Sequence, residues 1–214
     1  MNYHVLTLFP EMITQGLSTS IIGRAIEKNL ITVQATDIRE FSENKHMKVD
    51  DYPYGGGAGM VMQAGPVYKA YEHVKQQVNS DKILRVIYLT PQGKVFNQAM
   101  AEEFAQEEDL VFLCGHYEGI DERVNNYVDE LVSIGDYILT GGEIPAMGIA
   151  DSVIRLLDGA ITDISLDEES FNKGAYYAFD VNDIDFNKME SMYNSSAGEG
   201  ADEWYYRVRK DGTS

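Results

Sequence analysis

Apolar positions along this chain switch between helical and strand spacing, and the switches mark out its elements. Val5-Leu6-Thr7-Leu8-Phe9 is a short β-type run that Pro10 ends. Ile13 and Leu17, then Ile21, Ile22, Ala25 and Ile26, recur at helical intervals and predict two short helices after it. Ser18 or Thr19 is placed to cap the second helix, and Asn29 to end it in a left-handed conformation before a strand over residues 31–35. Periodicity then vanishes over residues 39–62, a polar, glycine-containing stretch too long for an ordinary connection. A helix over residues 67–78 precedes the strongest strand pattern, Leu84-Arg85-Val86-Ile87-Tyr88-Leu89, which is predicted to stop at Thr90-Pro91-Gln92-Gly93. Asn97 is placed to cap a helix over 98–106. A strand over 110–113 runs into Cys114-Gly115-His116-Tyr117-Glu118-Gly119, followed by a short helix with Asp121 near its start. The pattern closes with a strand over 130–133, a loop over 134–142, and a helix that Pro145 can open and that reaches about residue 157.

Strands alternating with helices predict an α/β fold, a parallel sheet with helices on both faces. Ligands in such sheets sit beyond the carboxyl ends of the strands, where the loops after residues 89, 113 and 133 all fall. After Asp158 the character changes: from 158 to 203 there are twelve acidic and two basic side chains. Residues 194–200 read as a flexible link. Trp204-Tyr205-Tyr206 then precedes Arg207-Val208-Arg209-Lys210, which suits either stacking on bases or a short strand packed on the core.

Composition narrows the function classes. The 214 residues carry 35 acidic and 17 basic side chains, a formal charge of -18, which disfavours a protein that coats nucleic acid by phosphate neutralisation. An RNA partner would need a local basic patch. The single cysteine, Cys114, excludes an intramolecular disulfide, and no Cys/His cluster has zinc spacing, so a cytoplasmic location is expected. Without a basic leader or 18 consecutive apolar residues, neither secretion nor membrane spanning is expected. Gly55-Gly56-Gly57-Ala58-Gly59-Met60 follows a polar segment and lacks a Gly-Lys-Ser/Thr ending, which argues against a phosphate loop. Gly141-Gly142-Glu143 lacks the three-glycine dinucleotide spacing.

Five collinear blocks carry a more specific message. They are Leu8-Phe9-Pro10-Glu11-Met12, the segment from Val49-Asp50-Asp51-Tyr52-Pro53-Tyr54 through the glycines to Met60, Tyr88-Leu89-Thr90-Pro91-Gln92-Gly93, Cys114-Gly115-His116-Tyr117-Glu118-Gly119-Ile120-Asp121-Glu122-Arg123, and Ser133-Ile134-Gly135-Asp136-Tyr137-Ile138-Leu139-Thr140-Gly141-Gly142-Glu143-Ile144-Pro145-Ala146. With these blocks the chain closely resembles the bacterial tRNA (guanine-N1)-methyltransferases, the TrmD family of the SPOUT superfamily. The resemblance covers about residues 1–157, with a weaker echo at Glu168-Glu169-Ser170-Phe171. The resemblance implies a deep trefoil knot at the carboxyl end of the catalytic domain. It also implies S-adenosylmethionine bound in a bent shape by the knot loops. Residue by residue, it places Tyr88, Leu89, Pro91 and Gly93 of the first loop, Gly115 and Tyr117 of the second, and Ile134, Gly135, Asp136, Tyr137, Ile138, Leu139, Gly141, Gly142 and Pro145 of the third around that cofactor. Loops of Gly, Ile and Leu suit an adenine, which needs flat apolar walls and close backbone approach.

The resemblance further implies methyl transfer to guanine N1 beside the anticodon of tRNA. That nitrogen is a poor nucleophile until its proton leaves, so a carboxylate base is needed, and a cation for the charge that develops on the neighbouring oxygen. The family's arginine falls on Arg155, and its aspartate before a Ser-Phe pair falls on Glu169, with Asp167 and Glu168 close by. Glu118 is the other acidic candidate, for orienting the guanine or helping to hold the Mg2+ on which the family's activity depends. His116 stands where arginine is common in the family. The family site is shared between two subunits of a homodimer. These implications divide the chain into a cofactor-binding catalytic domain over 1–157, an acidic linker over 158–174, and a divergent tail over 175–214 in place of the family's tRNA-binding domain. A second expectation, raised by that tail and by Glu169, is a non-catalytic paralogue that binds S-adenosylmethionine or a protein partner.

Overall fold

The computed structural model describes residues 1–78 and 84–161; the chain divides between Glu169 and Ser170, and the described residues lie on the amino-terminal side of that division. Five parallel strands form one sheet. In sequence order they are β1 (Asn2–Thr7), β2 (Thr32–Asp37), β5 (Arg85–Val95), β6 (Asp109–Cys114) and β7 (Glu130–Ser133). In space they run β2-β1-β6-β5-β7, every pairing parallel. The helices are α1 (Pro10–Leu17), α2 (Ser20–Glu27), α3 (Ala64–Gln77), α4 (Gln98–Phe104) and α5 (Glu143–Ile154). As expected from the alternating pattern, the sheet is covered on both faces, but unequally. One face carries Tyr3, Val5, Ile87, Leu110, Phe112 and Val132 against α1, α2, α4 and α5. The other carries Leu6, Val86, Val111 and Leu113 against α3 and the turns flanking it. The centre of the sheet is buried on both sides, so β6 reads as a continuous apolar run after its first residue.

Local chemistry explains most boundaries. Pro10 does more than end β1: it is the first residue of α1, where its missing N–H costs nothing. Asn29 does adopt the left-handed conformation, at φ +57°, after α2. Neither Ser18 nor Thr19 caps α2 with its side chain; Thr19 is the cap residue, and its side chain makes no capping bond. Asn97 caps α4 by accepting from the Met100 N–H at 3.1 Å. The helix expected after Asp121 is a 3-10 turn, Glu122–Asn126, capped by the Asp121 carboxylate, which accepts from the Arg123 N–H at 3.0 Å. The stretch without periodicity is partly regular: a 3-10 turn, Ile38–Phe41, and a two-stranded ribbon pairing β3 (Asp50–Asp51) with β4 (Val61–Met62) antiparallel. Two-residue strands are too short to leave an alternating signature, which is why the sequence shows only polarity and glycine there.

The largest departure from the sequence pattern concerns β5. It does not stop at Thr90 but continues through Pro91, Gln92 and Gly93 to Val95. It pairs with β7 twice, Ile87 to Leu89 before an irregularity and Lys94 and Val95 after it. Pro91 falls in that irregularity, where a proline is tolerated because no ladder bond is required of it. Gly93 lies so close to β7 that a Cβ there would collide with the backbone of Leu131 and Val132.

This packing yields a contrast between two glycines. Gly93→Ala is expected to lower folding stability by about 1–3 kcal/mol, the range for overpacking, because the obstructing atoms are backbone and cannot rotate away. Gly65→Ala, in the first turn of α3 with open space around it, should leave stability unchanged or raise it by up to about 1 kcal/mol. Urea denaturation of the two variants beside the wild type checks both values.

Candidate active site

The carboxyl ends of β5, β6 and β7 leave a cavity of about 420 Å³. That lies within the usual range of small-molecule sites, roughly 300–1,000 Å³. Tyr88, Leu89 and Pro91 of β5 form one wall. Gly115, Tyr117 and Glu118, after β6, form a second. Ile134, Gly135, Tyr137, Ile138, Leu139, Gly141 and Gly142, after β7, form the third, with Pro145 of α5 beside them. Two residues marked in the sequence stand outside the lining: Gly93, which packs against β7, and Asp136, next to the lining residue Gly135.

Missing side chains bring the walls together. Tyr88 lies against Gly115, where a Cβ would meet its ring at 3.0 Å and its hydroxyl at 3.1 Å. Burial pushes the Tyr88 phenol above its ordinary range, and this outweighs the opposing hydrogen bonds with the Ile120 backbone and the Thr90 side chain, so it stays a protonated donor. Gly142 packs directly on Cys114, and its N–H donates to the Gly115 carbonyl at 3.1 Å. Gly135, at φ +149°, lies beneath the Tyr137 ring and donates its N–H to Ser133 Oγ at 3.2 Å. Tyr117 takes φ +59°, a conformation a bulky side chain adopts only when its surroundings impose it.

Glu118 sits at a junction. It lines the first cavity and also a larger one, walled by residues 51–54, 61–66 and 120–123. The ribbon of β3 and β4 is clamped to this loop by backbone bonds: Glu118 N–H to Met60 C=O at 3.0 Å, Met62 N–H to Gly119 C=O at 2.9 Å, and Asp121 N–H to Met62 C=O at 3.0 Å. Gly59, at φ +91°, leaves room for the Glu118 side chain, which a Cβ there would strike. Beyond Glu118 the second cavity offers Arg123, ion-paired with Asp121 at 2.7 Å, and Lys69, paired with Glu43.

A buried polar cluster stands behind the first cavity, and the sequence reading missed it. Glu143, 2% exposed, opens α5. Both its oxygens lie 2.8 Å from His116 Nε2, and Oε1 also accepts from Thr7 Oγ1 at 2.5 Å. Burial alone would raise the Glu143 carboxyl, but the bonds from His116 and Thr7, with the attraction of the imidazole, hold it below the usual carboxylate range. The one available signal was an acidic residue at a predicted helix start inside an apolar stretch; nothing in the sequence links it to Thr7.

The remaining marked residues are placed as follows. Arg155 caps the carboxyl end of α5, while Gly142 and Pro145 of the cavity lie at its amino end. A helix of this length separates them by roughly 18 Å, and Arg155 is not among the residues that line the cavity of its own chain. Glu169, Asp167 and Glu168 lie outside the described residues. Among the described residues, no three His, Cys, Asp or Glu side chains converge as a metal cage, and no helix is long and apolar enough to cross a membrane.

Comparison with known proteins bears directly on this geometry. A family model described as "tRNA (Guanine-1)-methyltransferase TrmD" matches residues 1–190, well past the last of the five sequence blocks. Curated tRNA (guanine-N(1)-)-methyltransferases are similar over most of their length. One from Lachnoclostridium phytofermentans is 60% identical over 186 residues, 75% of this chain and 68% of that protein. One from Clostridioides difficile is 46% identical over 211 residues, 95% and 90% respectively. The crystal structure of a tRNA (m1G37) methyltransferase from Aquifex aeolicus superposes with a TM-score of 0.72 at 33% identity, covering 91% of this chain and 87% of that one.

The depressed Glu143 carboxyl has a consequence for acid stability. A carboxylate whose folded pKa lies below its unfolded value, about 4.3 for glutamate, stabilises fully above that value. The contribution fades as pH falls through the lower folded pKa. Glu143→Gln is therefore expected to flatten the acid limb of the stability curve relative to wild type. Thermal melts in steps between neutral pH and about pH 3 would show it.

Proposed function

The chain belongs to the TrmD family of tRNA (guanine-N1)-methyltransferases, enzymes that use S-adenosylmethionine, and on that footing we propose how its own residues carry the reaction. The observation that supports the reading most is one cavity onto which the carboxyl half of β5 and the loops after β6 and β7 converge, thirteen of whose lining residues are those the family resemblance marks for the cofactor. Its chemistry fits. Leu89, Ile134, Ile138 and Leu139 offer apolar walls for an adenine, and Gly115, Gly141 and Gly142 allow close approach to the main chain without side chains in the way. The bound cofactor supplies an electrophilic methyl group on its sulfonium.

The protein must then deliver guanine N1 to that methyl as a nucleophile. Glu118, between the two cavities, orients the base. The Glu169 carboxylate takes the N1 proton as nitrogen attacks, and the Arg155 guanidinium faces the charge that grows on the guanine oxygen. Holding base and methyl in line supplies much of the remaining acceleration. Because Arg155 stands a helix length from its own cavity, the cation comes from a second copy of the chain, and the working unit is a homodimer with shared sites. The double pairing of β5 with β7, and the packing of Gly142 on Cys114, support threading of the three loops as a trefoil knot. Knots are rare, so this is a family property rather than a general one. Mg2+ commonly keeps several waters and takes only one or two carboxylates plus substrate phosphates. Glu118 suits that role; a full protein cage is not required.

Residues 1–157 then form the cofactor-binding catalytic domain, 158–174 an acidic linker that brings in Glu169, and 175–214 the tail. The site of action is the cytoplasm, where tRNA is available. The non-catalytic alternative draws no support from relatives at 46–60% identity that carry the enzyme's name.

Calorimetric titration with S-adenosylmethionine should show binding. Methyl transfer to unmodified tRNA should fall by roughly 10²–10³-fold in kcat for Arg155→Ala, with cofactor affinity unchanged. Glu169→Gln should lower it by roughly 10²–10⁴-fold. Cofactor binding without any methyl transfer by the wild type would support the non-catalytic module instead. A monomer in sedimentation velocity would remove the shared site.

A further inference from the structure

The buried cluster of Thr7, His116 and Glu143 touches three separate elements: the end of β1, the loop after β6, and the start of α5. A buried carboxylate is costly unless paired and hydrogen-bonded, and here both oxygens are engaged. Packing alone would be served as well by an apolar side chain of similar size. The arrangement is also directional. His116 lies in the cavity wall, with the Phe9 ring edge-on at 5.1 Å behind it, and the Phe9 N–H donates to Thr7 Oγ1 at 2.8 Å. Gly141, in the opposite wall, lies against the cluster so closely that a Cβ there would strike both the imidazole and Glu143 Oε2. The next residue, Gly142, makes the only backbone hydrogen bond between these two walls recorded among the described residues, to Gly115.

Resting on the cofactor reading above, we infer that Glu143 is a positioning residue for cofactor binding: through His116 and Thr7 it latches the loop after β6 to the loop after β7, so that the two glycine walls stand preformed to receive an adenosyl group. Glu143 itself does not line the main cavity and so acts through its neighbours. A preformed wall lowers the ordering cost of binding, and its loss appears in affinity rather than in the chemical step. Glu143 and His116 must also act as one unit, since the buried Glu143 carboxylate is paired with the half-buried His116 imidazole through both of its oxygens.

The test compares wild type, His116→Ala, Glu143→Gln and the double variant. S-adenosylmethionine affinity is measured by calorimetry, and methyl transfer to tRNA at saturating cofactor, at a temperature where circular dichroism shows all four folded. Each single variant should weaken cofactor binding by about tenfold or more, as expected for loss of a charged hydrogen bond, with kcat at saturation nearly unchanged. The double variant should bind no worse than the weaker single. Unchanged affinity in both singles, or losses that simply add, would overturn the latch; lower melting temperatures with unchanged affinity would mark the cluster as structural only. If His116→Ala does not fold, His116→Leu, which removes the partner of Glu143 but keeps most of the volume, carries the same comparison. Failure of the wild type to bind the cofactor at all would instead overturn the reading on which the latch rests.

Discussion

Backbone meets backbone with no side chain between at the carboxyl edge of this sheet, and the site depends on it. Gly93 lies on the Leu131 and Val132 main chain, Gly142 on Cys114, and Gly115 beneath the Tyr88 ring. The first two contacts are backbone on backbone and closer than a residue with a Cβ permits, while Gly115 leaves the Tyr88 ring only the tight space it occupies. Together they allow three successive strand ends to converge on one small volume, where ordinary loops would splay apart. The result is a cavity whose walls are main chain and aliphatic side chains, suited to a flat heterocycle recognised by shape and by a few backbone hydrogen bonds.

The polar groups around this edge divide into two kinds. Glu118 stands at the opening between two cavities, placed by the ribbon of β3 and β4 and by the space Gly59 leaves. Glu143 is sealed behind the wall, satisfied on both oxygens, and held ionised by its partners. In the proposed reaction the first meets a substrate, and on the inference drawn above the second holds the wall that meets a cofactor. An acidic protein with a charge of -18 can therefore serve a tRNA-modifying reaction without a uniformly basic surface, because the chemistry is local.

Much of this was legible in the chain itself. The alternation of strand and helix patterns, Asn29 after α2 and Asn97 before α4 follow from local conformational preference. So do the three glycine-containing loops, since glycine is required where backbones approach. The continuation of β5 through Pro91 was not legible, because proline and glycine locally signal a stop; the partner strand, 40 residues further on, supplies the hydrogen bonds that override it. The ribbon within residues 39–62 escaped for the same reason, being defined by its partners and not by any period of its own.

What the sequence by itself determined is the fold class, the family, and the loops that gather at one edge, since each depends on short-range pattern or on contiguous motif. What only the tertiary structure decided is which residues of those loops meet. It set Gly93 and Asp136 outside the cavity lining, put Arg155 a helix length away from it, and joined His116 and Glu143, 27 residues apart, with Thr7, 136 residues before Glu143, into one cluster. Such meetings depend on how strands are ordered in the sheet. No spacing along the chain encodes that order directly, because it arises only when the two apolar faces are buried together.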